Sequence, residues 1–153
     1  MRRLCSVLLL ALFTVALISC GGQATSTPGV DVTGKWNATF TENGNATPSY
    51  AVGLSFTKNT TVISGTEVPY TGGTQYNTGC VNYGSWTATG NTNGGSVITL
   101  SVHDPSTSSL FTVSGQANSS VSEIDGTFQA TFGANGSNAA CPSTTGTVVF
   151  TRQ

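Results

Sequence analysis

Charge is scarce in this chain. Only 7% of its 153 residues are Asp, Glu, Lys or Arg, and His103 is the single histidine. Two of the five basic residues, Arg2 and Arg3, sit at the extreme N-terminus. From residue 20 onward Lys35, Lys58 and Arg152 stand against Asp31, Glu42, Glu67, Asp104, Glu123 and Asp125, a net charge of −3. There is no basic patch, which removes nucleic acid as a partner. Metal ligands are missing too: one histidine and no Cys-x-x-Cys spacing leave no zinc site. No Gly-x-Ser-x-Gly elbow occurs, so the commonest hydrolase signature is absent. His103 precedes Asp104-Pro105, which is a turn signal. Adjacent strand residues face opposite sides, so His103 and Asp104 do not form a relay. Glu123 and Asp125 share one strand face at i, i+2 spacing, a pattern open to acid–base work. Solvated strand charge, which also discourages unwanted strand pairing, is the preferred reading. No cofactor is expected, and no enzymatic activity. A helical period of 3.6 is lacking in every stretch of helical length after the N-terminal segment.

What the chain does have begins at its N-terminus. Met1-Arg2-Arg3 is a positive start, and Leu4 to Leu17 is an apolar run too short to span a bilayer. It leads into Leu17-Ile18-Ser19-Cys20. This resembles the lipobox of bacterial lipoproteins at all four positions. The resemblance implies a signal peptide over 1–19, cleavage before Cys20, acylation of that cysteine with palmitate-type chains, and an exported protein held on a membrane. An ordinary secretory signal followed by a cysteine is the alternative. Residues 20–30 then form the lipidated cysteine and a tether that is small, polar and flexible. Two or more acyl chains, at about 0.8 kcal/mol per buried methylene, hold firmly where one does not. Gly21 resembles the context that sorts lipoproteins to the outer membrane in a didermic host.

With Cys5 removed and Cys20 acylated, Cys80 and Cys141 remain as a pair in an oxidising compartment. A disulfide between them closes a loop of about 60 residues and contributes roughly 4 kcal/mol in the chain-entropy model. Two separate buried thiols are the alternative.

Residues 31–153 read as one β-domain. Trp36, Ala38 and Phe40 alternate with Asn37 and Thr39. Tyr50, Val52, Leu54 and Phe56 show the same period of two, as do Ile98, Leu100 and Val102, and Ile124, Gly126, Phe128, Ala130 and Phe132. About eight strands are expected: 34–42, 50–57, 60–68, 80–89, 96–103, 109–116, 123–133 and 145–152. Short links such as Glu42-Asn43-Gly44-Asn45 favour an antiparallel meander. A polar residue precedes glycine at Gly34, Gly65, Gly115 and Gly126, where strongly coiled strands bend or approach closely.

Gly34-Lys35-Trp36 at the start of the first strand resembles the Gly-x-Trp of lipocalins and other calycins. The resemblance implies a small closed barrel whose Trp36 seals one end beneath a basic side chain. Arg152, ending the last expected strand, is placed for that role. Avidin-like meanders and an open β-sandwich are alternatives.

Residues 69–86 carry Tyr70, Tyr76, Tyr83 and Trp86, and 71–79 form a long polar link. Long links often carry function, and aromatic rings beside Asn and Gln suit sugars or small amphipathic ligands. The competing reading makes Tyr83 and Trp86 strand residues of the core and rim. Two function classes follow. One is a non-catalytic structural or interaction module of the envelope, with an envelope protein as partner. The other is a lipocalin-like binder of a small lipophilic or sugar ligand. Phe40, Phe56, Phe111, Phe128, Phe132 and Phe150 are many rings for a small barrel, which favours a filled interior.

Replacing Cys20 with Ser is expected to block signal-peptide cleavage and membrane retention. Membrane fractionation checks this, and a mature Cys20→Ser protein still in the membrane would contradict the lipobox reading.

Overall fold

The computed structural model describes residues 29–133 and 141–153. Eight strands follow in order: β1 Gly34–Glu42, β2 Tyr50–Asn59, β3 Val62–Val68, β4 Thr87–Thr92, β5 Val97–Asp104, β6 Ser109–Ala117, β7 Glu123–Thr131 and β8 Thr144–Arg152. Each pairs antiparallel with the next, and β1 pairs with β8, so the meander closes into a barrel. That pairing excludes the open sandwich.

The period-two sequences do what their pattern dictates. Trp36, Ala38 and Phe40 are fully buried, and the Ser109–Ala117 strand alternates strictly between buried and exposed residues. The interior is filled by rings. Phe40 lies 4.9 Å from Phe111, 5.3 Å from Phe128 and 6.2 Å from Phe150, centroid to centroid. Small residues make the space for them. A Cβ on Gly65 would lie 2.6 Å from the Phe56 ring, and Gly115 faces Gly126 across β6 and β7.

The barrel has two ends. The entry end holds the starts of β1, β3, β5 and β7. Here Trp36 is fully buried and donates from Nε1 to Val32 O at 2.8 Å. Trp36 and Arg152 are register partners, and the Arg152 guanidinium lies 4.6 Å above the indole. It also donates to Val121 O, Thr33 O and Asp31 O, so backbone carbonyls fix it in place. Gly34 is required twice. Its φ of +133° suits only glycine, and a Cβ there would lie 2.8 Å from Arg152 Nη1.

Three expectations need correction. Residues 29 and 30 were expected to belong to the tether, yet both are docked. Gly29 O accepts from Lys58 Nζ at 2.6 Å, and Val30 N–H bonds to Gly95 O. Gly29 is buried so tightly that a Cβ would strike Thr92. The fourth strand was expected over 80–89 but runs Thr87–Thr92, and 80–86 is irregular. The reason lies in where the backbone donors go. The N–H groups of Asn82, Gly84 and Trp86 donate to side-chain carboxylates instead of a neighbouring strand. The seventh strand also stops at Thr131, short of the expected 133.

Trp36→Ala should cost about 3–5 kcal/mol, the range for deleting a large buried ring. Arg152→Ala should cost less, about 0.5–1 kcal/mol for an exposed cation–π contact plus its carbonyl bonds. Denaturant unfolding of the two variants checks the order.

Candidate functional site

The end of the barrel opposite the entry holds most of the polar organisation. It is built from the ends of β1, β3 and β5, the starts of β2, β4 and β6, and the long β3–β4 connection. That connection leaves β3 after Val68 and first lies along the outside of the sheet. Thr71 N–H donates to Asn37 Oδ1 at 2.9 Å, and Asn37 Nδ2 returns a bond to Thr71 Oγ1 at 3.1 Å. Gln153 Nε2 bonds both Asn37 Oδ1 and Pro69 O, tying the C-terminus to the same point. The connection then turns to seal the end. Val81 and Trp86 are buried, and Cys80 is bonded to Cys141 with a Cα–Cα distance of 5.7 Å. The bridge joins the β3–β4 and β7–β8 connections across the opening.

Trp86 is the plug. Its ring stacks on Phe111 at 5.3 Å inside and on Tyr83 at 5.5 Å outside. Tyr83, Trp86 and Phe111 thus form a continuous stack from rim to core. The Tyr83 hydroxyl donates to Tyr76 O and accepts from Ala51 N–H at 3.3 Å. Ala51 lies beyond the last β2–β3 partner, Val68, where β2 has lost its neighbour. The phenol therefore satisfies a backbone donor that the departing β3 leaves open.

Carboxylates hold this plug down. Asp104 is fully buried and accepts from Asn82 N–H at 2.7 Å, Ser106 N–H at 2.9 Å, and the hydroxyls of Ser106 and Thr107 at 2.6 Å each. Burial alone would raise its pKa, but these donors outweigh it and hold the carboxyl below the usual range. Glu67 Oε2 accepts from Gly84 N–H and Trp86 N–H at 2.7 and 2.9 Å. Glu42 accepts from the Tyr50 hydroxyl at 3.0 Å and from Ser49 at 3.2 Å. Burial pushes the Tyr50 hydroxyl well above its ordinary pKa, and the Glu42 carboxylate adds to this. Burial pushes Tyr83 up to about 12, with Glu67 and Asp104 adding to the shift. Both phenols are therefore neutral donors at physiological pH.

The expected aromatic rim divides into two parts. Trp86 belongs to the core, and its other neighbours leave it no exposed face. Tyr70, Tyr76 and Tyr83 remain half-buried at the rim. Burial raises the Tyr70 hydroxyl, and the nearby Tyr76 adds to that. Sequence reasoning missed Glu67 and Asp104 as anchors of the plug. Asp104 showed only as part of a turn signal, and nothing local to Glu67 points seventeen residues ahead to Gly84. His103 is half-buried next to Asp104 in β5, with Asp104 turned inward. Glu123 and Asp125 lie on the outer face of β7, where Asp125 is exposed. Among the described residues no three His, Cys, Asp or Glu side chains converge on a metal-sized site. Cys20 and its tether to residue 28 lie outside the described residues.

No family model matches the chain, and no curated protein matches it. Among solved structures, EF1p2_mFAP2b bound to DFHBI superposes with a TM-score of 0.52. The match covers 80% of this chain and 94% of that one at 13% identity. At that identity the likeness shows the barrel fold and nothing about the site.

Two outcomes follow for stability. Asp104 contributes fully above its unfolded pKa of about 3.9, and its contribution is lost as pH falls through the lower native value. Asp104→Asn should cost at least about 1.5–3 kcal/mol, one hydrogen bond to a charged group, and flatten the acid limb of the stability curve. Urea titrations from neutral pH down to pH 3 check this, and an unchanged acid limb would contradict it. Replacing both Cys80 and Cys141 with Ser should cost about 4 kcal/mol in the chain-entropy model, read in the same titration.

Proposed function

We propose that the chain is a lipid-anchored, non-catalytic barrel of the cell envelope that acts through its outer surface. The lipobox-like Leu17-Ile18-Ser19-Cys20 supports the anchor and export, with the outer membrane as the destination in a didermic host. One observation carries the rest. Phe40, Phe111, Phe128 and Phe150 fill the interior, Trp36 with Arg152 seals one end, and Trp86 seals the other. A small barrel filled in this way has no room for a guest unless a large ring moves. The partner, protein or polymer, then meets the outside.

A second reading places a small ligand on the rim formed by Tyr70, Tyr76 and Tyr83. The observation that favours it is their half-buried position around a long polar connection, a setting suited to a sugar or a small amphipathic molecule. EF1p2_mFAP2b, the structure similar in fold, is one bound to DFHBI.

Aromatic-ring NMR of the full chain in detergent separates the two. With DFHBI and a set of small lipophilic ligands, the Phe40, Phe111 and Phe128 resonances should not move. A saturable movement of those rings would establish an interior site and overturn the outer-surface reading. Saturable shifts confined to the three tyrosines would favour the second.

A further inference from the structure

We propose that the outer face of β3–β6 carries a binding groove for a neutral polyhydroxylated chain, a glycan strand. The proposal rests on the outer-surface reading and gives it a place and a ligand class.

The groove has a volume of about 430 Å³. That lies within the roughly 300–1,000 Å³ of small-ligand sites. Its floor is the register pair Gly90 and Leu100. Both stand in the inward phase of their strands, yet the groove reaches them from outside. Glycine is needed at this point. A Cβ on Gly90 would strike Thr99 O and lie 2.8 Å from Leu100 Cδ2, so a side chain would push β4 off β5.

The walls are polar and uncharged. Thr89 and Asn91 come from β4, Thr99 and Ser101 from β5, and Thr112 from β6. They stand in register: Thr89 opposes Ser101, Ser101 opposes Thr112, and Asn91 opposes Thr99. None of the five side chains bonds to another protein group among the described residues. Some other outward hydroxyls and amides are paired with one another. Thr57 bonds Ser64 at 2.9 Å, Gln116 bonds Ser96 at 3.0 Å, and Asn43 bonds Thr145 at 2.9 Å. Five uncharged side chains without a protein partner among the described residues thus line one depression.

Charge selects the ligand class. In β4, β5 and β6 the outward positions carry no Asp, Glu, Lys or Arg, and the Asp104 of β5 is buried. A charged partner would lose hydration here and gain no counter-charge. An extended peptide is disfavoured for a different reason. It binds sheets by adding to a free edge, and the closed barrel has none. A sugar fits both constraints. Its hydroxyls donate and accept, as Thr, Ser and Asn do. Its C–H face needs an apolar surface, which Val62, 55% exposed, offers at the edge.

The test uses the full chain in detergent with two neutral probes, chitotetraose and maltotetraose, followed by amide NMR. At least one probe should give saturable shifts confined to residues 89–91, 99–101 and 112. Thr99→Val with Thr112→Val should weaken that binding about tenfold, the loss of one to two net hydrogen bonds, with unchanged unfolding. Thr127→Val with Thr147→Val, on β7 and β8, should leave it intact. No saturable shift with either probe at millimolar concentration overturns the groove proposal alone. Shifts gathered at Tyr70, Tyr76 and Tyr83 overturn it together with the outer-surface reading. Equal weakening by the control pair overturns it as non-specific.

Discussion

The pairing of β1 with β8, from Trp36 opposite Arg152 to Glu42 opposite Gly146, is the contact on which the rest depends. It joins residues more than a hundred positions apart and is the least local pairing in the meander. Once made, it removes both edges of the sheet. Proteins with open sheets guard their edges with charge, chiefly lysine. A closed barrel needs no such guard. That gives the 7% charge content a physical meaning, because Thr, Ser and Asn alone can face water on strands whose backbones are all paired.

Closure also fixes the interior volume, and the sequence fills it with rings. Large and small residues alternate across the lumen. Phe56 sits against Gly65, and a Cβ on Gly146 would lie 2.8 Å from the Phe128 ring. Adding a methyl group at such a glycine costs overpacking, and removing a ring leaves a cavity. The fold thus spends its interior on stability. The Trp86 stack on Phe111 extends that packing to the rim.

Much of this was legible in the residues. The alternation in 34–42, 50–57 and 109–116 set those strands to within a few positions, because period two is a local signal that burial on one face enforces. The pairing of Cys80 with Cys141 was legible by elimination, and the structure contains that bond. Residues 80–86 were not legible as a plug. Val81, Tyr83 and Trp86 have strand-like composition, yet their conformation is set by Glu67 and Asp104, which are distant in sequence. Local propensity is overridden when remote carboxylates take the backbone donors. The groove was equally hidden. Thr89, Thr99 and Thr112 look alike as solvated strand residues, and only the register of three strands brings them to one concavity.

Five of the nine charges from residue 20 onward fasten the ends of the barrel, while Asp31, Lys35, Glu123 and Asp125 face outward. Glu42, Glu67 and Asp104 accept bonds at the plugged end, and Arg152 is held over Trp36 at the other. Lys58 holds the entering chain at Gly29. Each of these charges fastens a closure. On β4, β5 and β6 the outer wall is left largely to hydroxyls and amides. A wall of that kind has weak long-range fields, so it neither steers nor repels charged partners. Recognition by such a surface must come from short-range hydrogen bonds in a shaped depression, and the face of β3–β6 supplies one at Gly90 and Leu100.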